Sequence, residues 1–325
     1  MQDLVTVFGG SGFVGSQVVR ALARQGARVR VAVRQPHLAH TMRMLGDVGQ
    51  IEVVQANLRN LDSVSRALQG AAAAVNLVGL LYETGRQKFQ SVHVTGAANI
   101  ARAAHQQGVG RFVQVSALGA DEASSAKYAR TKAMGEAAVR AEFPGAVILR
   151  PSIIFGPGDG FFNRFAQMAV FSPVLPLIGG GHTRFQPVYV GDVAAAVVKV
   201  ITGAQADGLT YELGGPGVFS FKEILEMILA QTERRRLLAP IPFAVARMIG
   251  RLGELASLTA LAPPLTADQV ELLKTDNVVS GGCPGLADLG IVATTVEAII
   301  PTYLYRFRKG GQYADETERL AATGA

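Results

Sequence analysis

Cysteine and tryptophan are nearly missing from this chain: its 325 residues hold one of the first, Cys283, and none of the second. A single thiol can neither close an internal disulfide nor share a metal with a second cysteine. A reducing compartment fits, and Cys283 reads as a small apolar side chain. Long apolar runs are missing too. No window reaches the roughly 18 to 20 apolar residues that a spanning helix needs, and the first residues carry neither a basic n-region nor an Arg-rich presequence. The expectation is a chain without a cleaved targeting signal, soluble or peripheral to a membrane. Charged residues make up only 17%, with a formal net charge of +6. The basic residues are dispersed, Arg234-Arg235-Arg236 being the tightest group. No aromatic residues interleave them, so nucleic acid is not an expected partner. With 49% hydrophobic residues, the chain has enough apolar surface to fold.

What is present is alternation. Leu4–Phe8, Val29–Val33, Ile51–Gln55, Ala73–Val78, Arg111–Val115 and Ala146–Leu149 are short apolar runs, the pattern of strands covered on both faces. Between them, Phe13–Gln25, Leu61–Leu68, Gln90–Gln107 and Ala126–Glu142 have helical spacing or length. This order predicts an α/β fold, a Rossmann-type doubly wound parallel sheet. After Arg150-Pro151, proline and glycine become frequent and the pattern loosens. Residues 1–155 are therefore expected to form a nucleotide-binding domain, and 156–325 a smaller, mostly helical C-terminal lobe. Within the latter, 185–215 is expected to rejoin the sheet through helix Asp192–Ile201 and strand Leu209–Leu213. Further helices are expected at Phe221–Gln231, Ile241–Leu258 and Ala267–Leu273, and the tail Lys309–Ala325 is expected to fray.

The most informative motif is Gly9-Gly10-Ser11-Gly12-Phe13-Val14-Gly15. It follows the first strand and opens the first helix, the context in which a glycine triplet marks a dinucleotide site. Gly9 serves the tight turn, Gly12 lets the backbone approach a pyrophosphate, and Gly15 lets helix and strand pack closely. Free N–H groups at the helix start suit an anion. The second strand ends at Arg34, where NAD-preferring sites usually carry an acidic residue for the ribose 2′-hydroxyl. A guanidinium there suits a 2′-phosphate, so NADP(H) is preferred over NAD(H). Asn57, with Leu58 beside it, is placed to meet the adenine. Asn76-Leu77-Val78-Gly79 would pass near the ribose; ordinary turn chemistry explains these positions as well.

Tyr128 and Lys132 lie at i and i+4 on one helix face, and Ser116 closes the fifth strand. An ammonium beside a phenol favours the phenolate, so Tyr128 can act as a general acid or base for hydride transfer, with Ser116 orienting a substrate oxygen. The alternative reading is that Tyr128 and Lys132 only hold the nicotinamide ribose. The glycine turn, Ser116 and Tyr128-x-x-x-Lys132 together resemble the extended short-chain dehydrogenase/reductase family. The resemblance implies that Arg150–Gly156, with Pro151 and Ile153, lines the nicotinamide side, and that Pro187–Ala194 lies below the substrate pocket. Three positions depart from the pattern. His93 stands where active members carry an Asn that helps a proton-relay water, although an imidazole can itself relay a proton. Phe8 stands where a Thr usually begins the turn. No acidic residue stands near Asn57.

Further stretches resemble one atypical subgroup, the nucleotide-binding accessory subunits of respiratory complex I and their bacterial relatives. They are Phe161–Phe165, Pro173–Gly181, Phe185–Val190 and Leu265–Asn277. This resemblance implies a subunit that keeps NADPH as a structural element, docked with complex I subunits on the inner, cytoplasmic face of an energy-conserving membrane. Val245, Met248, Ile249, Leu252 and Leu255 fall at helical spacing near Arg247 and Arg251. Such a helix can meet a partner or an anionic membrane surface, or simply face its own core. Phe161-Phe162 can form a pocket lip or a contact patch. Two other functions stay open: a soluble NAD(P)-dependent reductase, dehydrogenase or sugar-nucleotide epimerase, and an NADP(H)-sensing regulator acting through a partner protein.

Overall fold

The computed structural model describes residues 3–203, 208–256 and 265–313. Six strands alternate with helices along its first half: β1 Leu4–Phe8, β2 Arg28–Val33, β3 Ile51–Gln55, β4 Ala73–Asn76, β5 Arg111–Val115 and β6 Val147–Pro151. A later strand, Thr210–Leu213, pairs in parallel with β6. The sheet order runs from that strand through β6, β5, β4, β1 and β2 to β3, and all its pairings are parallel. The order of connection reverses between β1 and β4. Their loops part there, leaving the crevice in which doubly wound sheets hold ligands.

Helices α1 (Phe13–Arg24), α2 (Leu61–Leu68), α3 (Thr95–Gln106) and α4 (Lys127–Glu142) follow the strands; α5 (Phe162–Phe171) opens the small lobe and α6 (Val190–Thr202) returns to the sheet. The apolar stripe of α1 puts Val18, Val19 and Leu22 out of water with residues of α6, each burial worth about 1.5–3 kcal/mol. Residues of α2 and α3, with Val139 of α4, form the core on the other face.

Local chemistry moves some boundaries. β4 stops at Asn76, short of the expected Val78. The Asn76 side chain accepts from the Val78 N–H (3.0 Å) and donates to Gln114 (2.8 Å), which turns the chain. β6 runs on to Pro151. The helix expected over Gln90–Gln107 begins with a π turn, Gln90–Val94, before α3.

The small lobe continues with α7 (Phe221–Gln231), α8 (Phe243–Ala256) and α9 (Ala267–Leu272). It also holds a parallel strand pair, Val174–Ile178 with Leu237–Ile241, where prolines made the sequence look like loop. Of the Phe161-Phe162 pair, Phe162 is fully buried and Phe161 is partly buried against the small-lobe core, its ring 5.2–6.2 Å from those of Phe162, Phe165, Phe185 and Phe221. On α8, Ala246 is buried, and Gly250 lies so close to α9 that a Cβ would stand 2.6 Å from the Ala267 nitrogen. The stripe at Val245, Met248, Ile249 and Leu252 instead faces out, with exposures of 42–62%. The side chain of Leu255, residue Leu258 and the tail beyond 313 lie outside the described residues.

Candidate nucleotide site

The glycine turn sits at the crevice between β1 and β4. Gly9 has φ +79°, and its missing Cβ would stand 3.1 Å from Val78 Cγ2; Val78 thus covers the turn from the β4 side. At Gly15 a Cβ would lie 2.2 Å from the Gly9 carbonyl oxygen, so α1 can rest on the turn only through glycine. Gly12 meets nothing closer than 3.4 Å and leaves the approach open beside exposed Ser11. Gly12 is the N-cap of α1, with no side-chain cap and no acidic residue in the first turn. The N–H groups of Phe13, Val14 and Gly15 thus begin a helix whose positive end is offset by no acidic residue of its own first turn. This cradle fits a pyrophosphate.

One end of the crevice is cationic. Arg34, Gln55, Ala56, Asn57, Arg59, Asn60, Ser63 and Arg66 line a cavity of ≈ 400 Å³. Three guanidinium groups and no carboxylate border it. The loop is shaped by its own side chains: Asn57 Oδ1 accepts from the Arg59 N–H at 3.2 Å, and Asn60 caps α2 by accepting from Ser63 N–H at 2.9 Å. Arg59 and Arg66 were not singled out from sequence. Two arginines within ten residues of Asn57 were the available signal. Leu58 does not join this lining; its side chain packs where Gly96 leaves room.

The other end is buried. Ser116 Oγ is enclosed and has no hydrogen-bond partner, a polar group prepared for a ligand atom. Lys132 Nζ donates to the Val115 carbonyl at 3.2 Å. Burial pushes its ammonium down to about 8, against the pull of Glu136 one turn along. Glu136 itself pairs with Arg150 at 2.6 Å, tying α4 to β6. The half-buried Tyr128 ring packs edge-on to Phe89 and His93 at 5.9 and 5.5 Å. Burial raises its phenol to about 12, and its hydroxyl has no hydrogen bond among the described residues. Pro151 is buried, and Ile153 packs toward the small-lobe core.

His93 joins this group in a fixed state. Leu80 N–H donates to its Nε2 at 2.9 Å, which assigns the ring proton to Nδ1. Nδ1 lies 3.1 Å from Thr131 Oγ1, whose own proton goes to the Tyr128 carbonyl at 3.0 Å. Burial, and then the nearby Lys132, push the imidazole down to about 3. Both nitrogens are engaged, so the expectation that this ring could relay a proton gives way to a structural role. Among the described residues there is no cluster of groups that could hold a metal ion.

Residues 5–214, from β1 through the last sheet strand, match the model of the NAD dependent epimerase/dehydratase family, and the chain belongs to that family. Within it, the chain is 37% identical over 318 residues to the Mus musculus NADH dehydrogenase (ubiquinone) 1 alpha subcomplex subunit 9, covering 97% of this chain and 83% of that protein. It is 38% identical over 197 residues to a ceramide reductase of Caulobacter vibrioides, 61% of this chain and 60% of that one. Among solved structures, the Thermus thermophilus UDP-glucose 4-epimerase in complex with NAD superposes with a TM-score of 0.60 at 24% identity, covering 74% of this chain and 86% of that chain.

Proposed function

We propose that this protein is an NADP(H)-holding accessory subunit of respiratory complex I, without turnover of its own. The mouse relative, matched along nearly the whole chain, is by name a subunit of the ubiquinone-linked NADH dehydrogenase. The observation that carries the absence of turnover is the wiring of His93. The group standing where a proton relay is needed has neither a free lone pair nor a free proton.

In this reading the turn from Gly9 to Gly15 and the start of α1 hold the pyrophosphate. Arg34 binds the 2′-phosphate, with Arg59 and Arg66 adding to the field, and Asn57 meets the adenine. Ser116, Tyr128 and Lys132 hold the nicotinamide ribose, flanked by Val78, Pro151 and Ile153. A bound nicotinamide supplies hydride chemistry only where a proton can follow. Preference for NADP(H) over NAD(H) rests on three guanidinium groups around one carboxylate-free cavity. The outward face of α8, with Arg251 exposed beside it, suits the border between complex I and an anionic membrane surface, which makes the protein peripheral on the inner face. No described helix is long and apolar enough to cross a membrane.

The test is gentle isolation from native membranes, with bound nucleotide and co-purifying proteins identified together by mass spectrometry. Stoichiometric NADPH with complex I subunits is the expected result. Free protein with exchanging nucleotide would sink it. A reductase is the second reading, favoured by the preserved Tyr128–Lys132 spacing and by the ceramide reductase relative. Carbonyl-dependent NADPH oxidation would establish that reading instead.

A further inference from the structure

We propose that Asp268, on the small lobe, is a positioning residue for the nicotinamide end of this site. The helix that carries Tyr128 and Lys132 has no N-cap of its own, because the residue there is Ala126. Its first two N–H groups are taken instead by Asp268, Lys127 N–H to Oδ1 at 2.6 Å and Tyr128 N–H to Oδ2 at 2.9 Å. A carboxylate at a helix start both fills these donors and opposes the helix dipole.

Asp268 does not act alone. Glu271, one turn along α9, accepts from Ser125 Oγ at 2.8 Å. At the end of the same segment, Asn277 accepts from Ser152 Oγ at 2.7 Å and donates to the Leu118 carbonyl at 3.4 Å. A single stretch, 268–277, therefore grips the loop after β5, the start of α4 and the loop after β6. These carry or adjoin Ser116, Tyr128, Lys132 and Ile153. The stretch is itself anchored. Thr266 and Gln269 form a capping box on α9, Glu271 pairs with Arg247 and Lys274, and Gly250 lets α8 press against α9. The cationic cavity has no such clamp; all its lining residues come from positions 34–66.

The nucleotide is thus gripped by one lobe at its adenine end and by two at its nicotinamide end. Release of the nicotinamide half requires the Asp268 contact to loosen. This inference rests on the NADP(H) reading above, and the test separates the two. Affinities for NADPH and for adenosine 2′,5′-bisphosphate, which lacks the nicotinamide half, are measured on the full chain and on Asp268→Ala. NADPH is expected to weaken about tenfold, the scale of one lost helix cap, with the bisphosphate unchanged within about twofold. If Asp268→Ala does not fold, Asp268→Asn keeps one acceptor and carries the same test, with a split of about threefold. Equal weakening of both ligands, or no weakening of NADPH, overturns the positioning role and leaves the NADP(H) reading intact. A parent protein that binds neither ligand overturns both.

Discussion

The two ends of the crevice are built on opposite principles. The adenine end is open and charged. Arg34, Arg59 and Arg66 are exposed, on the loops after β2 and β3 and on α2, so in the proposed reading they contribute specificity for a phosphate, weakened by salt. The nicotinamide end is enclosed: the His93 ring is neutral with its one proton on Nδ1, burial pushes the Lys132 ammonium down to about 8, and Ser116 Oγ has no partner among the described residues. The difference teaches that recognition and retention are separable here. In the proposed reading, one end selects the nucleotide and the other keeps it, beside a His93 ring whose two nitrogens are both engaged.

That comparison can be broken at its centre or sharpened at either end. The largest effect is expected from Gly15→Ala, which removes the support shared by both. Its Cβ would fall 2.2 Å from the Gly9 oxygen and 2.6 Å from Gly10 Cα. A loss of at least about 3 kcal/mol in urea unfolding, together with loss of NADPH binding, is expected. Next comes Arg34→Glu, which should cost about 1–3 kcal/mol of NADPH affinity by calorimetry and little of NADH affinity. The penalty should shrink as salt rises. Equal losses for the two nucleotides would remove the 2′-phosphate assignment.

The third test is pH. Unfolded His93 takes its proton near 6.5, whereas the folded ring takes it only at about 3. Above 6.5 neither state is protonated and nothing differs. As pH falls from 6.5 toward 3, only the unfolded chain gains the proton, so stability is lost through that window. By pH 5 the parent should lose roughly 2 kcal/mol more than His93→Gln in denaturant titrations; parallel curves would contradict the buried neutral state. The smallest effect is expected from Tyr128→Phe. Its hydroxyl has no protein partner among the described residues, so stability should change by less than about 0.5 kcal/mol and NADPH affinity by less than about 1 kcal/mol. A carbonyl reductase activity lost by orders of magnitude in this variant would show the closed end to be catalytic after all.

The sheet and most helices were legible in the sequence because their signals are local. Strands such as Val29–Val33 are apolar runs, and the glycine turn has its spacing on one short stretch. What was hidden depends on distance or on satisfied valence. The Val174–Ile178 strand finds its partner sixty-odd residues on, and its prolines read as loop. Thr266 and Gln269 form a capping box on their own helix, yet Asp268 between them caps a different helix 140 residues away. The His93 substitution could be seen. That both its nitrogens are occupied depends on Leu80 and Thr131, which no spacing rule connects to it.

The π turn at Gln90–Val94 bears on the helical phase of this site. Such a turn accommodates one residue more than α-helical winding does, and here it spans His93. Its backbone is pressed into α4, where a Cβ on Gly135 would lie 2.1 Å from the His93 oxygen. Deleting a single residue within the turn would restore regular winding and rotate the segment before it by about 100°. The Phe89 ring would leave Tyr128, and the imidazole would lose its place between Leu80 and Thr131. The quiet end of the crevice thus depends on one inserted residue in one helix.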